Sequence, residues 1–283
     1  MSLHVNNLHY AYGSTEVLRG ISFTAQAGDL IAIIGPNGVG KSTLFKCILG
    51  FLHGYTGEIL VDDRNIQQMS RPNIAREIAY IPQSTQQVFD YTALEITMMG
   101  LASRLGRFQN PTKSDEEECL DVLGELGIAH LAHRGCGEIS GGEYQLVMLA
   151  RALVQKAKVL IMDEPTANLD YGNQFKVMQK IDDLASAGYT ILTSTHDPNQ
   201  VFLHANRALV LKGGKVLADG APSDVLTEDV LSALYSIDVA KREVKVDGRT
   251  VNVCVPRSGK AGKSQADGVS APKAASDEDG GRE

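Results

Sequence analysis

Leu30-Ile31-Ala32-Ile33-Ile34, running into Gly35-Pro36-Asn37-Gly38-Val39-Gly40-Lys41-Ser42-Thr43, decides the fold of this 283-residue chain. A short, continuously apolar run reads as a parallel strand buried on both faces. The residues after it satisfy G-x-x-x-x-G-K-[ST] in the strand–loop–helix setting that a phosphate-binding loop requires. Glycines let successive backbone N–H groups turn toward a phosphate without a Cβ in the way. A helix starting near Lys41 aims the positive end of its dipole at the same anion. Lys41 can then reach the β- and γ-phosphates, and the Ser42 hydroxyl can ligate Mg²⁺. Gly35, Asn37, Gly38, Gly40, Lys41, Ser42 and Thr43 are therefore the candidate binding residues, and a nucleoside triphosphate is the expected ligand.

Composition narrows the class. Hydrophobic residues make up 43% and charged residues 22% of the chain, an ordinary globular balance with enough apolar side chains for a core. The net charge of −7 argues against broad affinity for nucleic acid, which needs a basic surface. Cys47, Cys119, Cys136 and Cys254 are scattered without a C-x-x-C pair, and read as buried thiols rather than a metal site or disulfide framework. No apolar run approaches the ~20 residues of a membrane span. The N-terminus also lacks the charged-then-apolar layout of a signal peptide, so any role at a membrane is expected to come through a partner.

Around the phosphate loop the pattern is α/β. Residues 3–26 alternate as antiparallel strands, and Lys41–Leu49 reads as a helix. Gly57–Asp63 and Ile78–Pro82 read as strands. From 84 to 141 the character turns helical, with Ala93–Leu101 and Asp115–Leu126 as the clearest helices. The alternation resumes with a helix over Gly142–Gln155, a strand at Val159–Met162, a helix over Asn173–Ala187 and a strand at Thr190–Thr195. Residues 243–255 alternate around Asp247-Gly248, a hairpin signal. Residues 257–283 carry almost no large apolar side chain and are expected to be a disordered tail.

Further motifs follow in order. Val159–Met162 delivers Asp163 and Glu164 at its C-terminal end, where ligands sit in open parallel sheets. Ser140-Gly141-Gly142-Glu143 opens a helix, and Ser-x-x-Glu is a capping box whatever else it does. Gln83 follows the Ile78–Pro82 strand, and His196 follows Thr190–Thr195. Taken together, Tyr80-Ile81-Pro82-Gln83, Ile139-Ser140-Gly141-Gly142-Glu143, Val159–Pro165, Ala167-Asn168-Leu169-Asp170 and Thr195-His196-Asp197 resemble, in the same order, the motifs of ATP-binding cassette (ABC) ATPases. Glu143 stands where the family usually has Gln, and Ile139 where it has Leu. Shorter passages, such as Lys46-Cys47-Ile48-Leu49-Gly50 and Thr195-His196-Asp197-Pro198-Asn199, look like importer subunits for iron chelates, haem or cobalamin.

That resemblance implies an ABC-type P-loop ATPase core with an N-terminal antiparallel β subdomain and an inserted helical subdomain carrying the signature, all within residues 1–256. It implies ATP and Mg²⁺ as ligands, with Ser42, Gln83 and Asp163 at the metal, Glu164 as general base and His196 at the γ-phosphate. Tyr12 stands where the family places an aromatic on adenine, though a core tyrosine is the competing reading. Ser140, Gly141, Gly142 and Asp170 would meet the nucleotide of a second copy in a head-to-tail dimer. The implied partners are that second copy, integral-membrane permease subunits and a periplasmic or lipid-anchored solute-binding protein, with no nucleic acid. The chain would then sit peripherally on the cytoplasmic face of the inner membrane. Gln83–Leu101, with Phe89, Tyr91, Met98 and Met99, is the candidate docking stretch, the methionines reading equally as core. His130 and His133 are spaced to share a helix face but lack further ligands. The competing functions are a non-transport ABC ATPase working on nucleic acid or ribosomes, an importer of another metal or small solute, and an exporter subunit.

Overall fold

Period-2 burial builds the first layer. In the computed structural model, which describes residues 2–83, 91–105, 109–246 and 248–257, β1 (Ser2–Tyr12) and β2 (Thr15–Gln26) form an antiparallel ribbon. Leu3, Val5 and Leu8 of β1 and Leu18, Ile21, Phe23 and Ala25 of β2 all point inward. The irregular registers between Val5 and Leu8 and between Leu8 and His9 keep both apolar sets on one face despite the odd spacing. β3 (Leu30–Ile34) leaves for the second sheet, while β4 (Thr56–Val61) and β5 (Arg64–Asn65) complete an antiparallel sheet of order β2-β1-β4-β5.

The second sheet is six-stranded and mostly parallel. After α1 (Lys41–Ile48) and α2 (Arg71–Glu77) comes β6 (Ile78–Ile81). α3 (Ala93–Met98), α4 (Lys113–Glu125) and α5 (Gly141–Val154) form a helical layer before β7 (Val159–Asp163). α6 (Tyr171–Ser186), β8 (Thr190–Thr195), α7 (Pro198–His204), β9 (Arg207–Lys212) and β10 (Lys215–Gly220) follow. The order is β10-β9-β3-β8-β7-β6, antiparallel at the β9–β10 edge. β3 and β7 show why their runs are continuously apolar. Ile31, Ile33, Val159 and Ile161 face α1 and the antiparallel sheet. Leu30, Leu160 and Met162 face α5 and α6, and Ala32 and Ile34 face the C-terminal elements. Each large side chain so buried contributes about 1.5–3 kcal/mol.

Polar clamps tie the helical layer to the core. Arg151 of α5 donates to the Tyr80 carbonyl of β6 at 3.1 Å, and Gln155 donates to the carbonyls of Ala75 and Ile78. Arg104 grips Glu118 with two bonds, 2.7 and 3.0 Å, and Lys156 joins the same carboxylate at 2.9 Å. α8 (Pro222–Val225), α9 (Glu228–Tyr235) and the hairpin of β11 (Val239–Val246) with β12 (Arg249–Pro256) close the chain. Arg257 is still held, its N–H on the Asp238 carbonyl at 2.8 Å, and the tail expected after it lies outside the described residues.

Other sequence expectations need adjustment. His130 sits in a 3₁₀ turn, Ala129–Leu131, and His133 beyond it, so the shared helix face does not form. Cys47, Cys119 and Cys136 are buried and Cys254 half-buried, and burial pushes the Cys47 thiol up to about 12. Tyr91 and Met99 are exposed, while Met98 packs against the helical core. Phe89 lies outside the described residues. Among the described residues, no helix is long and apolar enough to cross a membrane. Gly100 marks the tightest approach of helical layer to α5: a Cβ there would lie 2.1 Å from the Arg151 carbonyl oxygen. Gly100→Ala is expected to lower stability by about 1–3 kcal/mol in urea denaturation.

Candidate nucleotide site

The loop between β3 and α1 turns on its glycines. Gly38 and Gly40 take φ of 78° and 112°, backbone that a side-chain-bearing residue resists, and Gly40 leads directly into α1. Lys41 is buried, and its Nζ donates to the Gly35 carbonyl at 2.6 Å and to that of Pro36 at 3.4 Å. Burial pushes its pKa down, and the charges of Glu164 and Asp163 pull it partly back. An open cleft of about 510 Å³ is lined by Tyr12, Val17, Asn37, Gly38, Gly40, Lys41, Ser42, Thr43, Gln83 and Glu164. Tyr12 is 47% exposed at this cleft, set edge-on to Tyr10 with ring centroids 5.0 Å apart. It is thus not the core tyrosine of the competing reading.

The acidic end of β7 arrives from the neighbouring strands. Asp163 is buried at the end of β7, while Glu164 beyond it adopts a φ of 48°. Gln83 Nε2 donates to Glu164 Oε2 at 3.1 Å, and His196 Nδ1 lies 3.5 Å from the same oxygen. The imidazole is 63% exposed. A second cleft of about 370 Å³, lined by Gln83, Glu164, Thr166, Asn168, Gln174, His196 and others, adjoins the first through Gln83 and Glu164.

The signature segment stands elsewhere. Ser140 and Glu143 form a complete capping box: the Glu143 N–H donates to Ser140 Oγ at 3.3 Å, and the Ser140 N–H and hydroxyl both donate to the Glu143 carboxylate at 2.8 Å. Those bonds hold the Glu143 carboxyl below its usual range. Ser140 and Gly142 line a third cleft, about 520 Å³, with His130, Asn173, Lys176 and Lys180. Gly142 lets α5 sit on α6, since a Cβ there would come within 2.6 Å of the Asn173 side chain. Asp170 caps α6 by accepting from the Asn173 N–H at 2.8 Å. Neither Ser140, Gly141, Gly142 nor Asp170 lines the cleft at Lys41.

One residue escaped the sequence reading. The buried Ser194 hydroxyl donates to Asp163 Oδ1 at 2.5 Å and accepts the Glu164 N–H at 2.9 Å, so it fixes both acids at once. Its trace in the sequence is the hydroxyl run Thr193-Ser194-Thr195 inside a fully buried strand, where β3 has aliphatic side chains. Ser194→Ala strands a buried acceptor and a backbone donor. A stability loss of about 1–3 kcal/mol is expected in urea denaturation, together with slower ATP turnover in a phosphate-release assay.

Comparison with known proteins agrees with this geometry. Residues 18–167 match the family model described as ABC transporter. An "Uncharacterized ABC transporter ATP-binding protein" of Haemophilus influenzae is 37% identical over 235 residues, covering 83% of this chain and 89% of the relative. A "Probable iron chelatin transport ATP-binding protein" of Helicobacter pylori is 35% identical over 237 residues, covering 83% and 93%. Among solved structures, an ABC transporter described as of the metal-chelate type, in an inward-facing conformation, superposes with a TM-score of 0.81. It is 31% identical, over 91% of this chain and 98% of that one. With the phosphate loop, the strand-end acids and these matches in agreement, the chain belongs to the ABC transporter family, as an ATP-binding cassette that hydrolyses ATP.

Proposed function

We propose that this chain is the nucleotide-binding subunit whose ATP hydrolysis powers a membrane importer, with an iron chelate, haem or cobalamin as the class of cargo. The observation that carries the catalytic part is the convergence of Lys41, Ser42, Gln83, Glu164 and His196 on two clefts that share Gln83 and Glu164. Support for the cargo class comes from the iron chelatin relative and the metal-chelate type transporter, and from the importer-like passages around Lys46 and His196. Residues 1–256 would act as one cassette, with 84–141 as its helical part and 243–255 as a terminal hairpin.

In this reading the phosphates of ATP lie along the N-terminus of α1, and Lys41 turns its donors from the loop carbonyls to the β- and γ-phosphates. Ser42, Gln83 and Asp163 would supply the hard oxygen donors that Mg²⁺ takes, and Asp163 suits the part because Ser194 pins one of its oxygens. Bound there, Mg²⁺ would offset charge on the transferring phosphoryl group. Glu164 takes the proton of the attacking water, held in aim by Gln83 and by the backbone bond to Ser194. His196 steadies the γ-phosphate, and Tyr12 stacks on the base.

Ser140 and Asp170 lie outside the lining of this cleft, which supports a head-to-tail pair in which each triphosphate lies between the Lys41 of one copy and the Ser140 of the other. ATP then acts as the adhesive, and its cleavage releases the pair. The working partners are that second copy, permease subunits in the membrane and a periplasmic or lipid-anchored solute-binding protein. The chain's place is the cytoplasmic face of the inner membrane. Glu164→Gln is expected to bind ATP normally and to lose roughly 10²-fold or more in turnover. The ATP-bound dimer should accumulate in size-exclusion chromatography, and undiminished hydrolysis would remove Glu164 from the role of base. Ser140→Arg is expected to abolish hydrolysis while ATP affinity at subunit concentrations too low for pairing is unchanged. Retained hydrolysis by that variant would mean that the nucleotide is not shared between copies.

A further inference from the structure

The loop that carries His196 is gripped from the C-terminal end of the chain. The hydroxyl of Tyr235, the last residue of α9, donates to the His196 backbone carbonyl at 2.9 Å. Three residues after the histidine, Asn199 forms a two-way bridge with β12. Its Nδ2 donates to the Cys254 carbonyl at 3.3 Å, and its Oδ1 accepts the Cys254 N–H at 2.8 Å. Between these two anchors Asp197 caps α7 by accepting the Asn199 N–H at 2.8 Å, and the Asp197 N–H donates to Thr195 Oγ1 at 3.1 Å. The stretch from Thr195 to Asn199 is therefore tied at Thr195, His196, Asp197 and Asn199, while the imidazole it presents stands exposed beside Glu164.

The grip has its own support. Ser236, with a φ of 57°, ends α9 directly after the tyrosine. Burial pushes the Tyr235 pKa well up, so the hydroxyl keeps its proton for the carbonyl. Glu228 at the start of α9 accepts from the Lys241 N–H at 2.8 Å, from Arg242 at 2.9 Å and from Arg257 at 2.7 Å, which ties α9 to β11 and to the residue just past β12. Among the described residues, none of α8, α9, β11 or β12 lines either of the clefts that contain Glu164.

We propose that Tyr235 and Asn199 are positioning residues for ATP hydrolysis: through them α9 and the C-terminal hairpin set where His196 points. The inference rests on the reading of His196 as the group that meets the γ-phosphate. Small displacements of such a group cost rate far more than they cost binding. The hydrolytic step then depends on elements remote from the phosphate loop, and a pull on the hairpin slows turnover without releasing ATP.

The test uses the full chain and a double-mutant cycle. Tyr235→Phe is expected to lower kcat roughly three- to tenfold, the worth of one neutral hydrogen bond, with KM for ATP unchanged. Asn199→Ala should move kcat in the same direction. In a His196→Ala background, Tyr235→Phe is expected to leave the residual rate unchanged, because the group it aims is gone. A wild-type kcat for Tyr235→Phe beside a crippled His196→Ala would overturn the clamp and leave the role of His196 standing. An equal loss in both backgrounds, or a parallel loss of ATP affinity, would also overturn it, as general loosening moves those readouts together. Full turnover by His196→Ala would instead overturn the reading of the histidine, and the clamp with it.

Discussion

The parallel register of β3, β8 and β7 is the constraint on which the site depends. Ile34 pairs with Thr195, and Asp163 pairs with Ser194, so three strand ends finish side by side. The phosphate loop, His196 and Glu164 leave from those ends. A slip of one residue would turn each strand's buried side chains to the opposite face. Both faces of these strands are covered, so the register is held by packing on two sides at once. The Ser194 hydroxyl adds the local detail, joining the strand that leads to His196 to the two acids of its neighbour.

A second theme is how the helical layer is joined to that sheet. Arg151 and Gln155 lie on α5, the helix that Ser140 caps, and they bond the carbonyls on either side of the α2–β6 junction. Tyr80, one of those partners, stands three residues before Gln83. Partial burial lowers the Arg151 pKa, and a half-buried guanidinium bonded to a backbone carbonyl is costly to separate from it. The strand that leads to Gln83 is in this way tied directly to α5, in a subunit proposed to convey hydrolysis to a membrane partner.

Legibility in the sequence followed the range of the interactions involved. Elements with strong periodicity or cap chemistry were readable: the buried runs of β3 and β7, the capping box at Ser140, and the pairing of the last hairpin. No helix or strand is legible in the sequence between Asp197 and Val239, although Arg207–Lys212 and Lys215–Gly220 pair across Gly213-Gly214. α7 and α9 span 7 and 8 residues, too short for their periodicity to stand out, and they owe their order to the apolar cluster around Leu226, Leu231 and Leu234. Ser194 had no motif to mark it, because its role lies in bonds to residues about thirty positions away.

What the sequence by itself determined is the chemistry: a loop of glycines ending in Lys41 and Ser42, two acids at a strand end, and a family order of motifs that names the reaction. Those features are local, and spacing along the chain encodes them. What the tertiary structure decided is the arrangement. It placed Gln83 and His196 around the Glu164 carboxylate, kept Ser140 and Asp170 out of the cleft at Lys41, and set Tyr235 on the carbonyl of His196. Such contacts join residues far apart in the chain, and they exist once the sheet has its order and the helices have packed against it.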